Sequence, residues 1–201
     1  VVTTANAAYS ASELEYQLKT SKAKALVTCV PLLDTALEAA KLAGIPTSRI
    51  YILEMAKGFS DEKPVPFKSV TQLIQQGRKL PELEPLKWEL GQGKRQTAYL
   101  CFSSGTSGLP KGVMISHYNV IANILQSATY GSVWREKTKK TEVTLGLLPF
   151  SHIYGLVVIA SLRTYQGDGV IVLPKFDLKT YLKAIETYKI NILTIVSYAA
   201  L

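Results

Sequence analysis

Apolar positions along the chain switch repeatedly between runs of four to six residues and spacings of three and four. Ala25-Leu26-Val27-Thr28-Cys29-Val30 and Arg49-Ile50-Tyr51-Ile52-Leu53 read as short buried strands. Before the first strand, Ser10-Ala11-Ser12-Glu13 has capping-box spacing and Ala11, Leu14 and Leu18 share a face, so a helix is predicted over 11–20. Between the two strands, Leu33, Ala36, Leu37 and Ala40 predict a second helix ending near Gly44. Prolines 64, 66, 81 and 85 break the pattern from about residue 57 to 96 and leave room for one short helix near 70–76. Alternation then resumes. Strands are predicted at 97–102, 112–115, 143–148, 169–173 and from residue 192. Helices are predicted from Ser116 and Asn119 to about residue 130, over 153–165, and after Asp177 with Leu178, Tyr181, Leu182 and Ile185 inward. Apolar strands separated by helices require crossover connections, so the fold class is α/β, with layered parallel-rich sheets and flanking helices.

The segment between strands 97–102 and 112–115 carries the chemistry. Ser103-Ser104-Gly105-Thr106-Ser107-Gly108-Leu109-Pro110-Lys111-Gly112 gathers hydroxyls and glycines ahead of one lysine. Glycine allows a close backbone approach, so amides, hydroxyls and an ammonium can converge on phosphate oxygens. A Walker A loop needs glycine before the lysine and a hydroxyl after it, and here Pro110 and Gly112 stand in those places. The plainer reading is a flexible Gly/Ser linker, although linkers seldom set a lysine behind Leu-Pro and run directly into the strand-like Val113-Met114-Ile115.

Tyr99 to His117, containing that loop, resembles the phosphate-loop signature of the adenylate-forming enzymes: acyl-CoA and 4-coumarate:CoA ligases, luciferases and peptide-synthetase adenylation domains. Leu148-Pro149-Phe150-Ser151-His152-Ile153-Tyr154-Gly155, Leu173-Pro174-Lys175-Phe176-Asp177 and the opening Thr3-Thr4-Ala5-Asn6-Ala7-Ala8-Tyr9 resemble further stretches of that family, in the same order. The resemblance implies an acetyl-CoA synthetase-like N-terminal domain, partial in this chain, with a C-terminal domain and the ribose, adenine and catalytic-lysine segments lying outside it. It also implies a reaction in which a carboxylate forms an acyl-adenylate with ATP and a thiol then forms a thioester.

By the same resemblance Ser103, Ser104, Gly105, Thr106, Ser107, Gly108 and Lys111 contact ATP phosphates, His152 faces the reacting carboxylate and α-phosphate, Tyr154 lines the acid pocket and Lys175 contacts CoA. Each of the last three has a plainer reading: His152 as a cap of its own turn, Tyr154 as a core tyrosine, Lys175 as an exposed strand-end lysine. His117, at a helix start, reads as structural. A magnesium ion would arrive with ATP, since no His/Cys/Asp/Glu cluster has metal-ligand spacing. The alternatives are an adenylation domain that loads a carrier protein, a luciferase-like enzyme, and a non-catalytic nucleotide-binding fragment.

Composition narrows the partners. The 201 residues are 47% hydrophobic and 19% charged, enough for a sizeable core. The net charge of +8 suits anionic ligands, and the run Arg135-Glu136-Lys137-Thr138-Lys139-Lys140 reads as a solvated basic loop. Basic residues are not interleaved with aromatics along a face, so nucleic acid is not the expected partner. No apolar run reaches the ~18 residues of a membrane span. Cys29 and Cys101 lie in apolar runs and read as buried thiols, which favours an intracellular compartment, cytoplasmic or peroxisomal.

Overall fold

The computed structural model describes residues 1–55, 64–103 and 108–195. The chain forms two compact units.

One unit comprises residues 7–90 and 102–112. Helix α1 (Ala11–Thr20) starts where the sequence predicts, with the Ser10 side chain accepting from the Glu13 amide and the Glu13 carboxylate accepting from the Ser10 amide at 2.8 Å. The parallel strands β2 (Leu26–Thr28) and β3 (Ile50–Ile52) form a two-stranded sheet, and α2 (Leu33–Leu42) connects them. Helices α1 and α2 pack together, with Ala36, Ala39 and Ala40 of α2 and Leu14 and Leu18 of α1 buried. Gly44 takes φ +73° just beyond α2, the left-handed stop that the sequence predicts. The short helix expected near 70–76 is α3 (Val70–Gly77), capped by Ser69.

The other unit comprises residues 1–6, 91–101 and 113–201. It opens with a strand that the hydrophobic pattern does not announce, β1 (Val2–Thr4). A short helix, α4 (Gln92–Arg95), precedes β4 (Thr97–Ser103), and β5 (Lys111–Ser116) follows; the sheet order is β1-β4-β5, with β1 parallel to β4. A second sheet, β7-β6-β8, is parallel throughout and built from β6 (Val143–Gly146), β7 (Gly169–Val172) and β8 (Ile192–Leu193). Helix α7 (Leu178–Tyr188) packs Tyr181, Ala184 and Ile185 onto Leu145 and Ile190. Its cap is Asp177, as predicted. Leu178 and Leu182, predicted inward, are instead more than half exposed, because the buried stripe runs through Tyr181, Ala184 and Ile185.

Two further expectations change. The helix from Ser116, α5 (His117–Thr138), continues two turns past residue 130, so Arg135 to Thr138 are helical and not part of a basic loop. Arg135, Glu136 and Lys137 are good helix formers, and Arg135 finds a buried anion. The helix predicted over 153–165 begins as a π-helix, Tyr154–Leu162, and finishes as α6 (Arg163–Gln166).

Candidate functional site

The phosphate-loop segment enters from the end of β4 and leaves into β5. Ser103 and Lys111 are both exposed at these two ends, and Gly108 has φ +112°, a value that L side chains rarely adopt. At the exit, the Tyr16 hydroxyl of α1 donates to the Pro110 carbonyl at 3.1 Å, and its ring meets Phe102 edge-on with centroids 6.3 Å apart. A side chain at Gly112 would touch that Phe102 ring at 3.2 Å. Ser104, Gly105, Thr106 and Ser107 lie outside the described residues.

In the other unit, the chain leaves β6 into a tight turn at Pro149–His152. The His152 amide donates to the Pro149 carbonyl at 3.1 Å, and the His152 carbonyl accepts from the Leu156 amide at 3.0 Å. Imidazole Nδ1 accepts from the Tyr154 amide at 3.2 Å, so the capping reading holds for this nitrogen. A neutral imidazole with Nδ1 as acceptor carries its proton on Nε2. The side chain is therefore an oriented N–H donor, and His152 is exposed. Tyr154, two residues on, is 42% exposed. Buried Gly155 allows the π-helix to lie against the turn, since a Cβ there would sit 2.3 Å from the Pro149 oxygen.

Lys175 is exposed in the connection from β7 to α7. Hydrogen bonds from the Thr180 side chain and amide, followed by the nearby Lys175 ammonium, hold the Asp177 carboxyl below the usual carboxylate range. His117 starts α5, and its amide donates to the Gln96 carbonyl at 3.1 Å.

Sequence reasoning missed two features. Thr4, at the end of β1, donates from Oγ1 to the Ser151 carbonyl at 2.8 Å. Asp168, with a fully buried carboxylate, accepts from Arg135 Nη1 at 2.9 Å on both oxygens, lies 3.4 Å from Arg163 Nη1, and accepts the Glu142 amide at 3.1 Å. Glu142 also pairs with both arginines, each at 3.4 Å. Only the turn-like Gly167-Asp168-Gly169 hinted at that position. A cavity of about 600 Å³ adjoins this cluster, lined among others by Tyr130, Trp134 and Arg135. It lies before the start of β6, whereas His152 follows its end, and its two arginines are matched by two carboxylates.

Among the described residues, no group of three or more His, Cys, Asp or Glu side chains could hold a metal ion, and no helix is long and apolar enough to cross a membrane.

Comparison with known proteins gives this geometry a context. An acyl-CoA ligase of Emericella nidulans is 39% identical over 186 residues, covering 92% of this chain and 32% of that protein. An acyl-CoA ligase of Glarea lozoyensis is 41% identical over 183 residues, covering 90% of this chain and 31% of that protein. The chain thus spans about a third of the length of these curated relatives. Among solved structures, a long-chain-fatty-acid–CoA ligase from Archaeoglobus fulgidus superposes with a TM-score of 0.72 at 23% identity, over 98% of this chain and 35% of that one, a likeness of fold. The model of the AMP-binding enzyme family matches residues 1–200, and the chain belongs to that family.

Proposed function

We propose that this chain is the phosphate-loop-bearing part of an ATP-dependent carboxylic acid:CoA ligase, with the C-terminal domain and the adenine and ribose contacts supplied by sequence outside these 201 residues. The observation that carries the reading is the family match over residues 1–200 together with a lysine exposed at the exit of a glycine- and hydroxyl-rich loop. In the first half-reaction a substrate carboxylate oxygen bonds to the α-phosphorus of ATP and the bond to pyrophosphate breaks. In the second, a CoA thiol loses its proton and bonds to the acyl carbon as AMP departs.

Chemistry of this kind is mostly positioning and stabilisation of the charge growing on the leaving group. Lys111 fits that task, because it is exposed at the start of β5, three residues after the positive-φ Gly108. Ser103 to Gly108 complete the phosphate contacts, and magnesium enters bound to ATP. His152 presents Nε2–H to the reacting carboxylate or α-phosphate, and exposed Tyr154 forms a wall of the acid pocket. Lys175 would contact a CoA phosphate; it shares its surroundings with the Asp177 carboxylate, which tempers the local positive charge. Two thiols without a disulfide suit an intracellular compartment, cytoplasmic or peroxisomal.

The test is ATP–pyrophosphate exchange by the full-length protein with a panel of aryl and fatty acids. Lys111→Ala should slow adenylation by about 100-fold, the scale for one preorganised donor, and leave thioester formation from a supplied acyl-adenylate nearly unchanged. Equal losses in both half-reactions, or ATP binding without exchange in the unaltered protein, would sink the reading.

A further inference from the structure

We infer that Thr4 is a positioning residue for His152, an inference that rests on the adenylation reading above. The peptide unit joining Ser151 to His152 is held at both of its polar ends. Its carbonyl oxygen accepts the Thr4 hydroxyl at 2.8 Å, and its N–H donates to the Pro149 carbonyl at 3.1 Å. A peptide unit is planar, so fixing both ends fixes the plane and the backbone direction from which the His152 side chain departs. The Tyr154 amide then fixes the imidazole through Nδ1. Together the three hydrogen bonds leave little freedom in where Nε2–H is carried.

The grip from Thr4 is long in sequence and rigid in space. Thr4 lies 147 residues from Ser151, at the end of β1, where parallel pairing sets it opposite Cys101 of β4. The preceding hydroxyl, on Thr3, donates to the Leu100 carbonyl at 2.8 Å and secures the same strand end. A side chain on a sheet defines position better than one on a loop. Burial pushes the neighbouring Cys101 thiol up, with the adjacent Thr4 side chain acting in the opposite sense, so the thiol adds no charge beside this contact at neutral pH.

In the full-length protein, Thr4→Val removes the hydroxyl and keeps the shape, whereas Thr4→Ser keeps the hydroxyl. T4V should lower kcat of the adenylation half-reaction by about 10-fold, part of the roughly 100-fold that a 1 Å misplacement can cost. KM for ATP and thioester formation from supplied acyl-adenylate should stay within about 2-fold, and T4S should match the unaltered protein. In a His152→Ala background T4V should cost almost nothing further, the non-additivity expected of two residues acting as one unit. A merely structural threonine would give the same loss in both backgrounds and in both half-reactions, and that result overturns the inference. So does a T4S variant as slow as T4V. If T4V lowers the melting temperature, Thr4→Ala repeats the hydroxyl deletion under the same criteria. Absence of pyrophosphate exchange in the unaltered protein overturns the adenylation reading and this inference with it; exchange there with T4V unimpaired overturns this inference alone.

Discussion

Gly155→Ala adds a single methyl at the junction of the Pro149–His152 turn and the π-helix. The new Cβ would lie 2.3 Å from the Pro149 oxygen, 2.8 Å from the Pro149 carbonyl carbon and 3.0 Å from the Phe150 Cα, whereas ordinary contact begins at 3.4 Å. All three atoms are backbone, so no rotamer change relieves the clash. The difference between 3.4 and 2.3 Å requires turn and helix to part by about 1 Å. Overpacking of this kind costs about 1 to 3 kcal/mol, and a purely backbone clash belongs at the upper end, about 3 kcal/mol. For a domain of about 150–250 residues that would lower Tm by about 6 to 12 °C, and by less in the longer full-length protein. The function should suffer separately, because the Pro149 oxygen that must move is the acceptor for the His152 amide. A shift of about 1 Å there costs roughly 100-fold in the adenylation rate. Calorimetry and pyrophosphate exchange on the full-length protein measure both quantities. Gly131→Ala serves as control: Gly131 lies inside α5, and a methyl added there would meet nothing within 4 Å, so the change should be neutral or stabilising by up to about 1 kcal/mol. A G155A protein as stable and as active as G131A would refute the close-approach argument.

Asp168→Asn keeps the volume but leaves Arg135 and Arg163 with Glu142 as their remaining carboxylate, and loss of a fully buried charge partner should cost about 3 to 5 kcal/mol; urea unfolding that shows less than about 1 kcal/mol would refute the role of this cluster. Thiol labelling should modify half-buried Cys29 before buried Cys101. Because burial raises the Cys101 thiol, the folded state holds that proton to a higher pH than the unfolded chain, so its contribution is intact below about pH 8.5 and declines as pH rises toward the folded value. Cys101→Ala should remove that alkaline slope, and an unchanged slope would assign it to other groups.

Local patterning was enough to place α1, α2, α3 and α7, and for three of them the caps are written in adjacent residues: Ser10 with Glu13, Ser69 with Gln72, and Asp177 with Thr180. The turn at His152 was likewise legible, since its proline-to-histidine segment is contiguous in the chain. What escaped were effects of residues far apart in sequence. The three residues of β1 are too few to show a period, and they become a strand only by pairing with β4 nearly a hundred positions later. The basic run after residue 134 looked solvated because its anionic partner, Asp168, stands 33 residues downstream of Arg135. The helix predicted over 153–165 is present, but its π winding over Tyr154–Leu162 is not announced, and the need for glycine at 155 arises from the close approach of the Pro149–Phe150 backbone. The sequence alone thus nominated the side chains proposed for the chemistry. Tertiary structure decided which threonine donates to the carbonyl of the Ser151–His152 peptide, because a hydrogen bond between distant segments leaves no periodic trace.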